Sequence, residues 1–123
     1  MEGLLHECLY PVLLGSGTSC HACVRQMKKT YDVGSVVLTG KRALTLRFLP
    51  HVQLVNAPET LPDDILFSLL CDIGAEGGYR IPLLVLCDEA YRGFVERNRA
   101  RLDPIFILRT AGALLGEDGE VAF

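Results

Sequence analysis

Two stretches of this sequence hold residue types that can do chemistry. The first is Gly15-Ser16-Gly17-Thr18-Ser19, followed directly by Cys20-His21-Ala22-Cys23; the second is Cys87-Asp88-Glu89. Gly15 and Gly17 form a partial dinucleotide fingerprint: the first glycine allows a tight turn, and the second lets backbone approach a pyrophosphate. Cys20 stands where a third glycine would be, and the following strand ends in Thr39-Gly40-Lys41-Arg42 with no acid for a ribose. Lys41 or Arg42 could meet a 2′-phosphate, so NADP stays open. The plainer reading is a small-residue turn between a strand and a helix. Nothing matches GxxxxGK[ST]. Backbone N–H groups at the helix start would still suit a carboxylate or phosphate.

Cys20-x-x-Cys23 falls at a helix N-terminus, where the helix dipole lowers a thiol pKa and favours redox or metal chemistry. The run GTSCHACVRQMKK is similar to the metal loop of the heavy-metal-associated domain. That domain has no place for the later strand and helix of this chain, and Cys23 falls on the face expected to meet the core. The alternative is one buried cysteine and one incidental one. His21, with His6 and Cys8, could complete a zinc site in principle, but the spacings fit no standard ligand pattern, so a solvent-facing His21 is expected. Asp88-Glu89 follows a buried strand directly. It reads either as a substrate contact at the sheet edge or as an N-cap with a first-turn acid.

The elements that must position these residues follow from hydrophobic patterning. Tyr10–Leu14, Ser35–Leu38 and Ile81–Cys87 are continuous apolar runs, as in strands covered on both faces. Val52–Val55 and Ile105–Leu108 are shorter strands. Ala43–Phe48 is ambiguous between an exposed strand and a helical turn. Ser19 is expected to cap a helix carrying Cys23, Val24, Met27 and Tyr31 on one face. Asp63 is expected to cap one with Ile65, Leu66, Leu69, Leu70 and Ile73, and Asp88 one with Tyr91, Phe94, Val95 and Asn98. The run from Arg92 to Arg101 reads as a solvated face, and Thr110 as the cap of a last turn, Ala111–Leu115. The order predicts an α/β protein: a doubly wound, mostly parallel, five-stranded Rossmann-like sheet with helices on both faces. Residues 1–9 read as a leader, 10–116 as one domain and 117–123 as a polar tail or the start of a next domain. The loops at Gly15–Ser19, Asn56–Asp63 and Cys87–Asp88 should share the carboxyl edge, where ligands bind in open α/β sheets.

The chain has 123 residues, 50% of them hydrophobic, and a net charge of -3. That is enough for one core of ordinary size, and it disfavours a nucleic-acid or anionic-membrane partner recognised by charge. Five cysteines are an odd set, and Cys71 and Cys87 sit in apolar runs where thiols act as small hydrophobes. The absence of a basic signal region and of a membrane-length apolar run points to a reduced, cytoplasmic setting.

Several phrases together resemble a known family region. They are Pro11-Val12-Leu13-Leu14-Gly15-Ser16, Lys29-Thr30-Tyr31-Asp32-Val33-x-Ser35-Val36-Val37, Cys87-Asp88-Glu89-Ala90-Tyr91 through Asn98-x-x-x-Leu102, and Phe106-Ile107. The chain from about residue 10 to 116 resembles the N-terminal (pre-ATP-grasp) domain of ATP-grasp carboxylate–amine ligases, near the D-aspartate ligase and carbamoyl-phosphate-synthase-like groups. The resemblance implies a Rossmann-like domain on the acceptor-substrate side of a ligase, inactive by itself. It also implies that ATP and Mg²⁺ are bound by a C-terminal ATP-grasp domain outside this chain, with no cofactor held here. Gly15, Ser16, Gly17, Thr18, Ser19, Asp88 and Glu89 would face the cleft. The Cys-x-x-Cys is not part of the family pattern. Two other functions remain open: a small thiol- or metal-handling protein using Cys20, Cys23 and His21, and a nucleotide-binding or homodimerising interaction module.

Overall fold

The computed structural model describes residues 9–40 and 49–115. Five strands form one sheet in the order β3-β2-β1-β4-β5, with every neighbouring pair parallel. The strands are β1 Leu9–Leu14, β2 Ser35–Thr39, β3 Val52–Asn56, β4 Ile81–Leu86 and β5 Ile107–Thr110. The helices are α1 Thr18–Gln26, α2 Asp63–Glu76, α3 Arg92–Leu102 and α4 Ala111–Leu115. This is the doubly wound α/β, Rossmann-like fold. The chain starts at the centre of the sheet, winds outward through β2 and β3, and then crosses back to build β4 and β5 on the other side of β1. The strand order therefore reverses between β1 and β4. The segment 41–48, with the ambiguous run Ala43–Phe48 and with Lys41 and Arg42, lies outside the described residues, as do His6, Cys8, the leader and the tail.

Alternation along the strands splits the core into two layers. Tyr10, Val12 and Leu14 of β1, Val36 and Leu38 of β2, and Leu84 and Leu86 of β4 face α2 and α3, packing on Leu66, Leu70, Ile73, Phe94, Val95 and Leu102. The intervening residues Leu13, Val37, Leu83 and Val85 face the other way, onto Cys20, Cys23 and Val24 of α1, Met27 in the turn that continues it, and Ala111 of α4. β1 has no wet face, since Tyr10 through Leu14 are all buried. That double cover explains why its sequence shows no polar alternation.

Strand ends shift by a residue from the sequence reading at β1, β2, β3 and β4, and larger differences have local reasons. α1 begins at Thr18 with Gly17 as its N-cap and no side-chain cap bond, so Ser19 is not the cap. α2 begins at Asp63 itself, with Pro62 in the cap position; Asp63 serves as a first-turn acid. Within α2, Ile65 is exposed while Leu66, Leu70 and Ile73 are buried, so the inward stripe is narrower than the apolar spacing implies. β5 is Ile107–Thr110 rather than Ile105–Leu108. Phe106, just before it, packs into the core, while Ile105 and Ile107 face outward at the sheet edge. Asp88 caps as expected: its carboxylate accepts from the Ala90 N–H at 3.0 Å. The helix behind it opens with a tight 3₁₀ turn, Glu89–Tyr91, before α3. Thr110 caps α4, accepting from the Ala113 N–H at 3.1 Å.

Candidate functional site

The parallel sheet brings three loops to one edge. β1 runs into Gly15–Gly17, β3 into the loop ending at Pro62, and β4 into Cys87-Asp88. Hydrogen bonds bind the three together. The Gly15 N–H donates to the Leu38 carbonyl at 2.9 Å, and the N–H groups of Cys87 and Asp88 both donate to the Leu14 carbonyl, at 3.0 and 3.2 Å. The Ala57 N–H donates to the Thr39 carbonyl at 3.2 Å, and the buried Tyr91 hydroxyl donates to the Ala57 carbonyl at 2.7 Å.

Gly15 sits at the strand-order reversal with φ +125°, a conformation open to glycine and strained for other residues. A Cβ at Gly15 would collide with the Asp88 Cβ and stand 2.9 Å from the Asp88 nitrogen. The glycine thus lets the β1 loop seat on the β4 junction. Gly17, with φ +96°, has nothing within 4 Å of its would-be Cβ; there glycine serves the backbone turn alone.

Beside this contact lies a cavity of about 170 Å³, whose lining includes Ser19, Cys87, Asp88, Glu89, Arg92 and Thr110. The fold therefore unites Ser19 with Asp88 and Glu89 at one cavity and places Gly15 against Asp88. Gly17 and Thr18, the cap and first residue of α1, are exposed, and Ser16 is half-buried. Arg92 and Thr110 are additional members that sequence reasoning assigned elsewhere, to a solvated helix face and a helix cap. Only the parallel pairing of β4 with β5 brings Thr110 here. Arg92 is ion-paired with Glu89 and holds that carboxyl below its usual range. The cavity thus offers hydroxyls, an acid and an acid–guanidinium pair beside the amino end of α1.

The cysteines group differently from the sequence expectation. Cys20 and Cys23 are both fully buried, so neither is incidental. Cys87, from the far side of the chain, packs into the same layer. Hydrogen bonding with Cys20 and then Cys23, together with burial, raises the Cys87 thiol well above its ordinary pKa. His21 is half-buried and turns to a separate shallow cavity with Arg25, Lys28 and His51. Among the described residues, no group of three or more His, Cys, Asp and Glu is arranged to hold a metal ion. Nor is any described helix long and apolar enough to cross a membrane.

Comparison with family models, curated proteins and solved structures finds no match, so the geometry and the sequence itself carry the functional reading.

Proposed function

We propose that this chain is the N-terminal, substrate-side domain of an ATP-grasp carboxylate–amine ligase and acts in the cytoplasm. The observation that carries the reading is the seating of Gly15 on Asp88, which joins the two loops named by the resemblance into one wall of a cleft at the strand-order reversal. In this reading a following ATP-grasp domain supplies ATP and Mg²⁺. The substrate carboxylate takes the terminal phosphoryl group and releases ADP; the amine then attacks the acyl phosphate and releases phosphate, leaving an amide. The part of this chain is to bind and orient. The amino end of α1, with Ser16 and Ser19, suits a carboxylate or its phosphate, while the acids Asp88 and Glu89 suit the ammonium form of the amine.

The test joins this chain to the ATP-grasp region expected in the same gene or beside it, and follows phosphate release with amine and carboxylate substrates. Asp88→Asn is expected to lower kcat/KM for the amine at least about tenfold, with KM for ATP unchanged. A gene neighbourhood with no ATP-grasp region, or an Asp88→Asn enzyme with unaltered amine kinetics, overturns the reading.

A second reading, a thiol-handling protein, is favoured by one observation: the half-buried Cys87 packs beside the buried Cys20 and Cys23. It predicts that peroxide links Cys87 to Cys20 or Cys23. One thiol is oxidised to a sulfenic acid with release of water, and the second thiol displaces a second water to close the disulfide. Non-reducing peptide mapping reads that link. Unmodified thiols after peroxide treatment of the folded chain count against it.

A further inference from the structure

Positive charge is concentrated along α1, in a chain whose net charge is -3. Between Thr18 and Tyr31 there is no Asp or Glu, while His21, Arg25, Lys28 and Lys29 fall at i, i+4, i+7 and i+8, one face of a helix. Past Gln26 the helix widens into a π turn, Met27–Tyr31, a form often found at functional sites. Arg25, Lys28 and Lys29 are all exposed.

A helix C-terminus favours cations through its dipole, but that does not favour crowding them. Arg25 lies three and four residues from Lys28 and Lys29, spacings at which like charges repel. α3 shows the alternative. There Arg92, Arg97, Arg99 and Arg101 each meet a carboxylate, of Glu89, Asp63, Asp103 and Asp64 in turn. On the α1 face Lys28 pairs with Asp32 at 2.7 Å, and Arg25 and Lys29 make no ion pair among the described residues.

These cations line a cavity. With His21, Leu49 and His51 they border about 460 Å³, in the size range of small-ligand sites. Backbone bonds hold its sides together. The Ser35 N–H donates to the His51 carbonyl at 2.9 Å, and the Val52 N–H to the Leu49 carbonyl at 3.3 Å, so the turn before β3 stands beside the start of β2. The Val33 N–H donates to the Met27 carbonyl at 3.4 Å and brings the π turn to the same place. Leu49 and the methylene stems of Arg25, Lys28 and Lys29 supply apolar surface, and their charged heads supply the means to hold an anion.

From this combination we infer that the cavity beside α1 binds a small phosphate monoester with an aromatic body. The phosphate meets Arg25 and Lys29, the two cations that no carboxylate neutralises. The ring lies on Leu49 and on the imidazoles of His21 and His51, which are stacking surfaces. This cavity shares no lining residue with the one at Asp88, so the inference does not depend on the ligase reading.

The test titrates 1-naphthyl phosphate into the folded chain and follows backbone amide shifts. Inorganic phosphate and 1-naphthol serve as probes with one feature each, and a phosphotyrosine peptide serves as the macromolecular comparison. Naphthyl phosphate should shift the amides of Arg25, Lys29 and His51 with a Kd near or below about 1 mM, at least about tenfold tighter than either single-feature probe. Arg25→Gln and Lys29→Gln remove exposed side chains without ion-pair partners, so each should fold as the unaltered chain does, as read by Tm. Each should weaken naphthyl phosphate about threefold to tenfold and leave naphthol unchanged. The inference is overturned if naphthyl phosphate shifts none of these amides, if inorganic phosphate binds as tightly (an adventitious ion only), or if the phosphopeptide binds more tightly than the free ester. It is also overturned if the double variant keeps the Kd of the unaltered chain.

Discussion

The Tyr91 hydroxyl, buried beneath the carboxyl edge, donates to the Ala57 carbonyl at 2.7 Å across 34 residues of sequence. One side chain thereby ties the turn after β4 to the loop after β3, and both border the candidate cleft. Burial, then the negative charge of Glu59, pushes the phenol up to about 12 from its ordinary 10. The folded chain thus holds this proton more tightly than the unfolded chain does. The stabilisation is complete below pH 10 and is lost as pH rises from 10 towards 12. Tyr91→Phe should lower stability by about 1–2 kcal/mol in urea denaturation at neutral pH, because it leaves the Ala57 carbonyl unpaired. It should also remove the most alkaline step from the phenolate absorbance titration.

Gly15 and Gly17 look alike in sequence and differ in what surrounds them. Gly15→Ala meets both a left-handed backbone and the Asp88 side chain, whereas Gly17→Ala meets the backbone conformation alone. We expect Gly15→Ala to cost about 2–5 kcal/mol and Gly17→Ala about 1–2 kcal/mol. Equal losses in urea midpoints would show that the Gly15–Asp88 contact does not shape the edge.

Much of the fold was legible because its central strands are covered on both faces. Tyr10–Leu14, Ser35–Leu38 and Ile81–Cys87 read as strands from apolar content alone, and parallel pairing follows from the helices between them. Helix starts were less legible. Ser19 has the chemistry of a cap, yet the left-handed turn at Gly17 starts α1 earlier and leaves that position without a side-chain bond. Edge strand β5 misled for the opposite reason: Ile105 and Ile107 are apolar but point outward, so the strand could not be phased from hydrophobicity. That Gly15, Ser19, Asp88 and Glu89 meet was legible because strand–loop–helix junctions share one edge. Arg92 and Thr110 were not, since their place depends on strand register and on the turn after Asp88.

Asp63 joins α2 to α3. Its carboxylate accepts from Arg97 at 2.9 and 3.0 Å and from the Asn98 amide at 3.0 Å. Those bonds, Arg97 first and Asn98 second, lower its pKa to about 2. Because the folded value lies below the unfolded one, the contribution to stability is present above about pH 4 and disappears as pH falls towards 2. Asp63→Asn should therefore lower Tm at pH 6 and narrow the gap to the unaltered protein as pH drops to about 2.5. A constant gap across that range would mean that the carboxylate's charge is not what holds the two helices.

The last prediction concerns the buried thiols. Cys20 and Cys23 are fully buried at the start of α1, and Cys87 shares hydrogen bonds with both. A thiolate is the reactive species. The neighbouring thiols and burial that raise the Cys87 pKa therefore keep it protonated and slow towards iodoacetamide at neutral pH. Cys71 and Cys87 are both half-buried, so exposure does not separate them; folded protein should still be labelled at Cys71 well before Cys87, and urea should erase the difference. Cys20→Ser replaces the thiol that acts most strongly on Cys87. It should bring the pH at which Cys87 reacts back towards the ordinary thiol range, as read by labelling rate against pH with mass-spectrometric site assignment. If that pH profile does not move, burial rather than the Cys20 contact sets the reactivity of Cys87.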